Sequence, residues 1–281
     1  MQSRNLLNLV LLGILAVLLT VVFWTSEEPP QSSMTTVATA VDLATIKQIT
    51  IERQGYPPIP LHKKKGQWWL QNPHLPAKAS LVDQILKLLE SESRAHYPAD
   101  SLKPENIGLS PPSLCISFDE LRACFGERTP LDQLRYLQLG EQVYLIYDTL
   151  SHQLSGEPHD YLSLQLLPEM QAITALSLAD LQLQKVNGRW QRPDDYSADQ
   201  VQQFIEHWQN ARALVVAPYQ GGQGEDVIKI TLDGEAHIEF TQLSSEPELI
   251  FARPELGIQY HLNEGSLSRL TRLPAPSIIE E

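Results

Sequence analysis

Apolar positions along this chain fall into three kinds of run. The first is Leu6 to Trp24, nineteen residues without a charge, interrupted only by Asn8, Gly13 and Thr20. The second kind repeats at i, i+3, i+4 and i+7: Val82, Ile85, Leu86 and Leu89, then Val201, Phe204, Ile205 and Trp208. That spacing puts each set on one face of a helix. Ser197, three residues ahead of Gln200, supplies a capping box for the second helix. Arg94-Ala95 and Arg212-Ala213 are expected to close the two helices at equivalent places. The third kind is short and extended: Ile46, Ile49 and Ile51 in one place, Ile173, Leu176 and Leu178 in another, both expected as strands.

These runs recur in the same order. Lys63-Lys64-Lys65 leads into Gly66-Gln67-Trp68, and Lys185-Val186-Asn187 leads into Gly188-Arg189-Trp190, with Pro73 and Pro193 soon after. A helix-period run follows each Pro. A hairpin is then expected in each copy, Leu114 to Phe125 around Asp119-Glu120 and Val227 to Phe240 around the two-residue turn dipeptide Asp233-Gly234. Further strand pairs follow: Leu134 to Leu139 with Val143 to Tyr147, and Glu248 to Ala252 with Gly257 to Leu262. The expected order is strand, strand, helix, four strands, twice over. That pattern predicts an α+β fold of two tandem units with antiparallel sheets, each helix covering one sheet face. The units are expected over residues 43–167 and 168–274, with a boundary near Leu167-Pro168 and a tail over 275–281.

The uncharged run sets the expected location. As a helix rising about 1.5 Å per residue it nearly covers a hydrocarbon core of about 30 Å. Arg4 precedes it and Glu27 and Glu28 follow it, so the positive flank favours the cytoplasm. Residues 1–5 are then a cytoplasmic stub, 6–24 a single-pass anchor in inner-membrane lipid, and the rest periplasmic. A cleaved leader is the competing possibility. Its apolar stretch is usually about 7 to 15 residues, shorter than this one, and the Ala38-Thr39-Ala40 triplet lies far beyond Trp24. Residues 25–42, with Pro29-Pro30, read as a semi-extended tether.

The chain has 281 residues, with 21 Lys plus Arg against 34 Asp plus Glu, for a net charge of −13. The first 26 residues hold one basic side chain and no acid, leaving −14 on the exported part. So acidic a surface offers no general grip on phosphates, and nucleic acid is not expected as a partner. Two cysteines are too few for a disulfide-dense scaffold or a cysteine-rich zinc module.

The cysteines nevertheless pair on paper. If Asp119-Glu120 is a two-residue turn, Phe118 faces Leu121 and Cys115 faces Cys124 on a non-hydrogen-bonded position, with Cα atoms about 4.5 Å apart. That lies at the short end of disulfide geometry. In an oxidising periplasm the pair is expected to close. Asp-Glu is not a favoured turn dipeptide, so a longer loop with shifted register and two separate thiols stays open.

With a single amino-terminal anchor, Ile-x-x-Ile strand, Gly-x-Trp, Pro, amphipathic helix and Ile107-Gly108-Leu109-Ser110-Pro111-Pro112 before a hairpin, the chain resembles the bacterial domain of unknown function 4340 over about residues 43 to 273. The resemblance implies an envelope protein found beside ATP-binding-cassette (ABC) transporter components, with no catalytic residues to carry over. The second unit has Tyr219 to Gly224 where the first has Gly-Leu-x-Pro, and there it departs from the pattern.

No nucleophile elbow, phosphate loop, His-Glu-x-x-His or paired Cys-x-x-Cys occurs. No enzyme activity, cofactor or metal is therefore expected. His152, His159 and Asp160 share one loop but lack ligand spacing. Asp194, Asp195 and Asp199 fit a helix start. Lys63 to Lys65 reads as a solvated hairpin tip, and Gly221-Gly222-Gln223 as a chance tripeptide. Trp68 and Trp190 are expected in the core, and adjacent Trp69 on the opposite face as a candidate partner contact. Three functions follow in order: an interaction or scaffold subunit of an envelope complex, a ligand-binding module using the cleft between the units, and an envelope hydrolase.

Overall fold

A computed structural model describes residues 35–37 and 41–274, apart from Met170, Arg192, Asp194, Gln223, Glu225 and Glu235. The stub, the anchor over 6–24, residues 25–34 and 38–40 of the expected tether, and the tail lie outside the described residues; Thr35 and Thr36 of that tether pair as a strand with Ser93 and Glu92, and Val37 is buried. Among those described, no helix is long and apolar enough to cross a membrane.

The fold is α+β with two antiparallel sheets. The first contains β1 (Thr35–Thr36), β2 (Gln48–Arg53), β3 (Ile59–Lys64), β4 (Gln67–Leu70), β5 (Leu75–Pro76), β6 (Glu92–Pro98), β7 (Leu114–Phe118), β8 (Leu121–Arg128), β9 (Arg135–Leu139) and β10 (Gln142–Ile146), with α1 (Ala79–Lys87) between β5 and β6. Its spatial order is β1-β6-β10-β9-β8-β7-β2-β3-β4-β5. The second contains β11 (Ile173–Leu178), β12 (Leu181–Val186), β13 (Arg189–Gln191), β14 (Val215–Pro218), β15 (Asp226–Leu232), β16 (His237–Ser244), β17 (Leu249–Arg253) and β18 (Ile258–Leu262). Helix α2 (Ala198–Gln209) follows β13, and α3 (Ser266–Thr271) follows β18. This sheet runs β13-β12-β11-β15-β16-β17-β18-β14. Strand for strand, that is the order β4-β3-β2-β7-β8-β9-β10-β6 of the first sheet, so the arrangement is repeat-like.

Each unit is richer in strands than its hydrophobic pattern suggests. In the second unit three strands precede the helix and five follow it, in place of the expected two and four; the first unit has the same eight and adds the two-residue strands β1 and β5 ahead of its helix. Two causes account for the difference. Lys65-Gly66 and Asn187-Gly188 both take positive φ, 50° and 83° in the first pair and 49° and 80° in the second. That is the mirror-image turn matching the twist of a hairpin, so the lysine run and the Gly-x-Trp run become separate paired strands. Second, Arg94-Ala95 lies inside β6 and does not close a helix. Helix α1 ends at Lys87, followed by a single tight turn at Leu88–Glu90. β6 pairs with the open edge of β10, placing Ala95 opposite Leu145. Arg212-Ala213 likewise lies beyond α2, in extended chain.

A second correction concerns Asp233-Gly234. Thr231 pairs with His237, and the Leu232 amide bonds the Ala236 carbonyl at 2.9 Å, so the loop has three residues. A two-residue loop would set Ile228 opposite Glu239. The observed register instead places Ile228 against Phe240 and Ile230 against Ile238, all four buried. A one-residue slip reverses every side chain, and burial of that face outweighs the turn preference of the dipeptide.

The helices cover the sheets with the faces read from the sequence. Leu81, Val82, Ile85 and Leu86 are buried on α1, and Val201, Phe204, Ile205 and Trp208 on α2. Ser197 and Gln200 form the capping box: the Gln200 amide donates to Ser197 Oγ at 3.2 Å, and the Ser197 amide to Gln200 Oε1 at 2.8 Å. Trp208 anchors the second core, stacked on Phe251 at 5.6 Å and donating from Nε1 to the Leu270 carbonyl at 3.0 Å.

The connector between the sheets ties the two units together. Its Ser163 amide bonds the Pro76 carbonyl at 2.8 Å, and the Lys78 amide bonds the Tyr161 carbonyl at 2.8 Å. A few residues on, the Leu166 amide bonds the Ala211 carbonyl at 3.1 Å and the Ala213 amide bonds the Leu164 carbonyl at 2.7 Å. One contiguous hydrophobic core runs through both sheets and includes Leu162, Leu166 and Leu167 of the connector.

Candidate functional site

Two local features are built alike in both units. In the first, the hairpin-turn residue Asp119, with φ of 50°, accepts from the Gln48 amide at 2.8 Å, and its own amide donates to the Gln48 carbonyl at 3.0 Å. In the second, Asp233 Oδ1 accepts from the Ala172 amide at 3.1 Å, and its amide donates to the Ala172 carbonyl at 2.8 Å. Each hairpin turn thus closes the open end of its unit's first strand. Lys63 Nζ sits 5.9 Å from the Trp68 ring centre, and Lys185 Nζ 5.9 Å from that of Trp190. Trp68 is buried and Trp190 half-buried against the core.

Cys115 and Cys124 are directly paired across β7 and β8 and joined by a disulfide, with S–S 2.08 Å and Cα atoms 4.1 Å apart. Phe118 faces Leu121, as a two-residue Asp119-Glu120 turn requires. The apolar alternation agrees with this register even though the dipeptide is a poor turn former.

A large opening lies where the units meet. It is a cleft of about 1070 Å³ walled by the Lys63–Trp69 hairpin, the start of α1, the connector around Ser163–Gln165, and Arg212. Trp69 points away from the core that holds Trp68, and its ring stacks on His74, centres 5.0 Å apart. His74 stacks in turn on His62 at 5.4 Å. Burial first, then the neighbouring His74 and Lys64 charges, hold the His62 imidazole below its ordinary value. Trp69 Nε1 is sealed from solvent and has no acceptor among the described residues.

Lys78 occupies the position in α1 that Ser197 occupies in α2, and it makes no side-chain cap. No acidic residue sits in the first turn of α1, whereas Asp199 sits in that of α2. Lys63 to Lys65 and Trp69 stand out in the sequence, whereas Lys78 and His74 do not and Arg212 reads there only as closing a helix. A comparison of Lys78 with Ser197 at matched positions would have flagged the first. Nothing in the local sequence flags Arg212, because the connector brings it to the cleft.

The remaining candidates stay apart. His159 Nε2 lies 3.8 Å from Asp160 Oδ1, but Asp160 Oδ2 is engaged by the Glu157 amide at 2.8 Å, which caps its own short turn. Among the described residues no group of three or more His, Cys, Asp or Glu side chains is arranged to hold a metal ion. Asp194 and Gln223 lie outside the described residues, while Tyr219 Oη donates to the Gly222 carbonyl at 2.9 Å and fixes that loop. The Asp148 carboxylate is deeply set, its side chain 1% exposed. Burial alone would raise its pKa. Hydrogen bonds from the Ser151 hydroxyl and amide, the Arg135 charge and the Leu150 amide together bring it below the ordinary value.

No protein-family model, no curated protein and no solved structure matches this chain.

Proposed function

We propose that this protein is a single-pass, membrane-tethered binding subunit of the bacterial envelope. In this proposal residues 6–24 sit in inner-membrane lipid and the two tandem units lie in the periplasm. The Cys115–Cys124 disulfide carries the reading, because such bonds persist in oxidising compartments and are rare in the cytosol. An uncharged nineteen-residue run with a basic leading flank agrees with it. The resemblance to the domain of unknown function 4340 adds a partner class, an ABC-type transporter, and the absence of catalytic motifs in the sequence favours binding over turnover. Trp69 at the mouth of the cleft is the contact we assign to the partner.

Mild detergent extraction, crosslinking and identification of co-purifying chains tests the proposal. A permease or ATPase subunit recovered with wild type and lost with Trp69→Ala, at unchanged melting temperature, supports it. A carboxyl-terminal reporter active only in the cytoplasm overturns it. A second reading, a module for a soluble ligand, is favoured by the size and position of the cleft, since pockets gather at domain junctions.

A further inference from the structure

The cleft between the units reverses the charge of the molecule around it. Acids outnumber bases 34 to 21 along the chain. The cleft wall instead carries Lys63, Lys64, Lys65, Lys78 and Arg212 against Asp83 and Glu169. Lys63 is engaged by the Trp68 ring and the Ala44 carbonyl. Among the described residues Lys64, Lys65, Lys78 and Arg212 make no ion pair. A concave wall of one sign concentrates its field and draws in ions of the other sign.

The fold does not need this charge. The second unit builds the same helix start with a serine cap and an aspartate in place of Lys78 and its uncharged neighbours. The same hairpin tip there is Val186-Asn187 in place of Lys64-Lys65. The cations of the first unit are an addition, and they face an opening. Between them stand the amides and hydroxyls of Gln67, Ser80, Ser163, Gln165 and Gln171, beside the stacked Trp69 and His74 rings. Uncharged donors and acceptors suit a hydroxyl-rich ligand, an aromatic wall suits the apolar face of a ring, and the cations suit carboxylates. A volume of about 1070 Å³ accommodates several linked rings.

We propose that this cleft binds a segment of acidic oligosaccharide, its carboxylates meeting Lys64, Lys65, Lys78 and Arg212 and a sugar ring lying against Trp69. The proposal rests on the second reading, a ligand module at this cleft, and shares Trp69 with the partner assignment; ligand binding is read on the purified full-length chain without a transporter, so the two fail separately.

Full-length protein in zwitterionic-lipid nanodiscs is titrated calorimetrically with tetragalacturonate, with neutral maltotetraose and with inorganic tripolyphosphate. The expected result is binding of tetragalacturonate alone, weakened several-fold on raising salt. Arg212→Gln and Lys78→Gln each lose about tenfold, the scale of one charge-assisted contact. Lys185→Gln, at the matching hairpin outside the cleft, changes nothing. Melting temperatures of all variants are measured alongside, and Lys64→Gln with Lys65→Gln at the exposed tip replaces either variant that fails to fold. Equal binding of maltotetraose overturns the electrostatic basis, and tighter binding of tripolyphosphate overturns the sugar class. No heat with any probe, or equal loss in Lys185→Gln, overturns the site.

Discussion

Removing the Cys115–Cys124 bond tests the register, the compartment and the energetics at once. The two cysteines are separated by nine positions, so the bond closes a loop of about ten residues. In the chain-entropy account this restricts the unfolded state by about 9 cal/mol/K, or about 2.7 kcal/mol at 25 °C. The native side changes little, because β7 is held between β2 and β8 by ladders on both edges. Cys115 is buried, so the replacement must be apolar. Cys115→Ala with Cys124→Ala is therefore expected to lose about 2 to 3 kcal/mol in urea titration, with an m-value equal to or slightly above that of wild type as the unfolded chain loses its restraint. For a body of this size that corresponds to a melting temperature lower by about 5 to 10 °C. Wild type in reductant should fall to the same place. Intact mass of the unreduced membrane-extracted chain should be lighter by two hydrogens than the reduced form. If oxidised and reduced wild type unfold at the same urea concentration, the bond does not restrict the unfolded chain and the energetic account fails. If membrane-extracted protein carries two free thiols, the oxidising compartment fails with it.

Asp148→Asn is expected to cost about 2 kcal/mol at neutral pH, the scale of hydrogen bonds to a charged group, because the carboxylate accepts from the Leu150 amide at 3.1 Å and the Ser151 amide at 2.9 Å and forms an ion pair with Arg135 at 2.6 Å. Its folded pKa is lowered from the ordinary 3.8, so the stabilisation is full above that value and lost as pH falls through the lower folded one. Urea midpoints of the two proteins should therefore converge in acid, and a gap that widens as pH falls would refute the assignment. Trp208→Phe should cost about 1 to 3 kcal/mol by leaving the Leu270 carbonyl without its donor, and Trp208→Ala about 3 to 5 kcal/mol. Hydrogen exchange should report the loss first in α3, and unchanged protection there would show that Trp208 does not hold it.

Much of this fold was legible because periodicity is a local property. Val82, Ile85, Leu86 and Leu89 mark a helix face whatever lies opposite, and the alternation of Leu114, Ile116 and Phe118 with that of Leu121, Ala123 and Phe125 marks the shared strand face, leaving the register to the turn. The doubled Gly-x-Trp was visible for the same reason. β6 was missed because its only fully buried member is Ser93, a polar residue with no apolar alternation around it. The Asp233 loop was misjudged because a dipeptide preference of a fraction of a kcal/mol competes with the burial of an entire strand face.

The sequence alone determined the two helix faces and the antiparallel α+β class, and it made Cys115 opposite Cys124 one of two open registers that the structure then decided. Only the tertiary structure decided that the connector bonds both units, that one core runs through both sheets, and that Lys64, Lys78 and Arg212 face a common cleft. Those residues are far apart along the chain. No local spacing encodes their meeting, which exists only once two separately patterned sheets have closed around the same apolar interior.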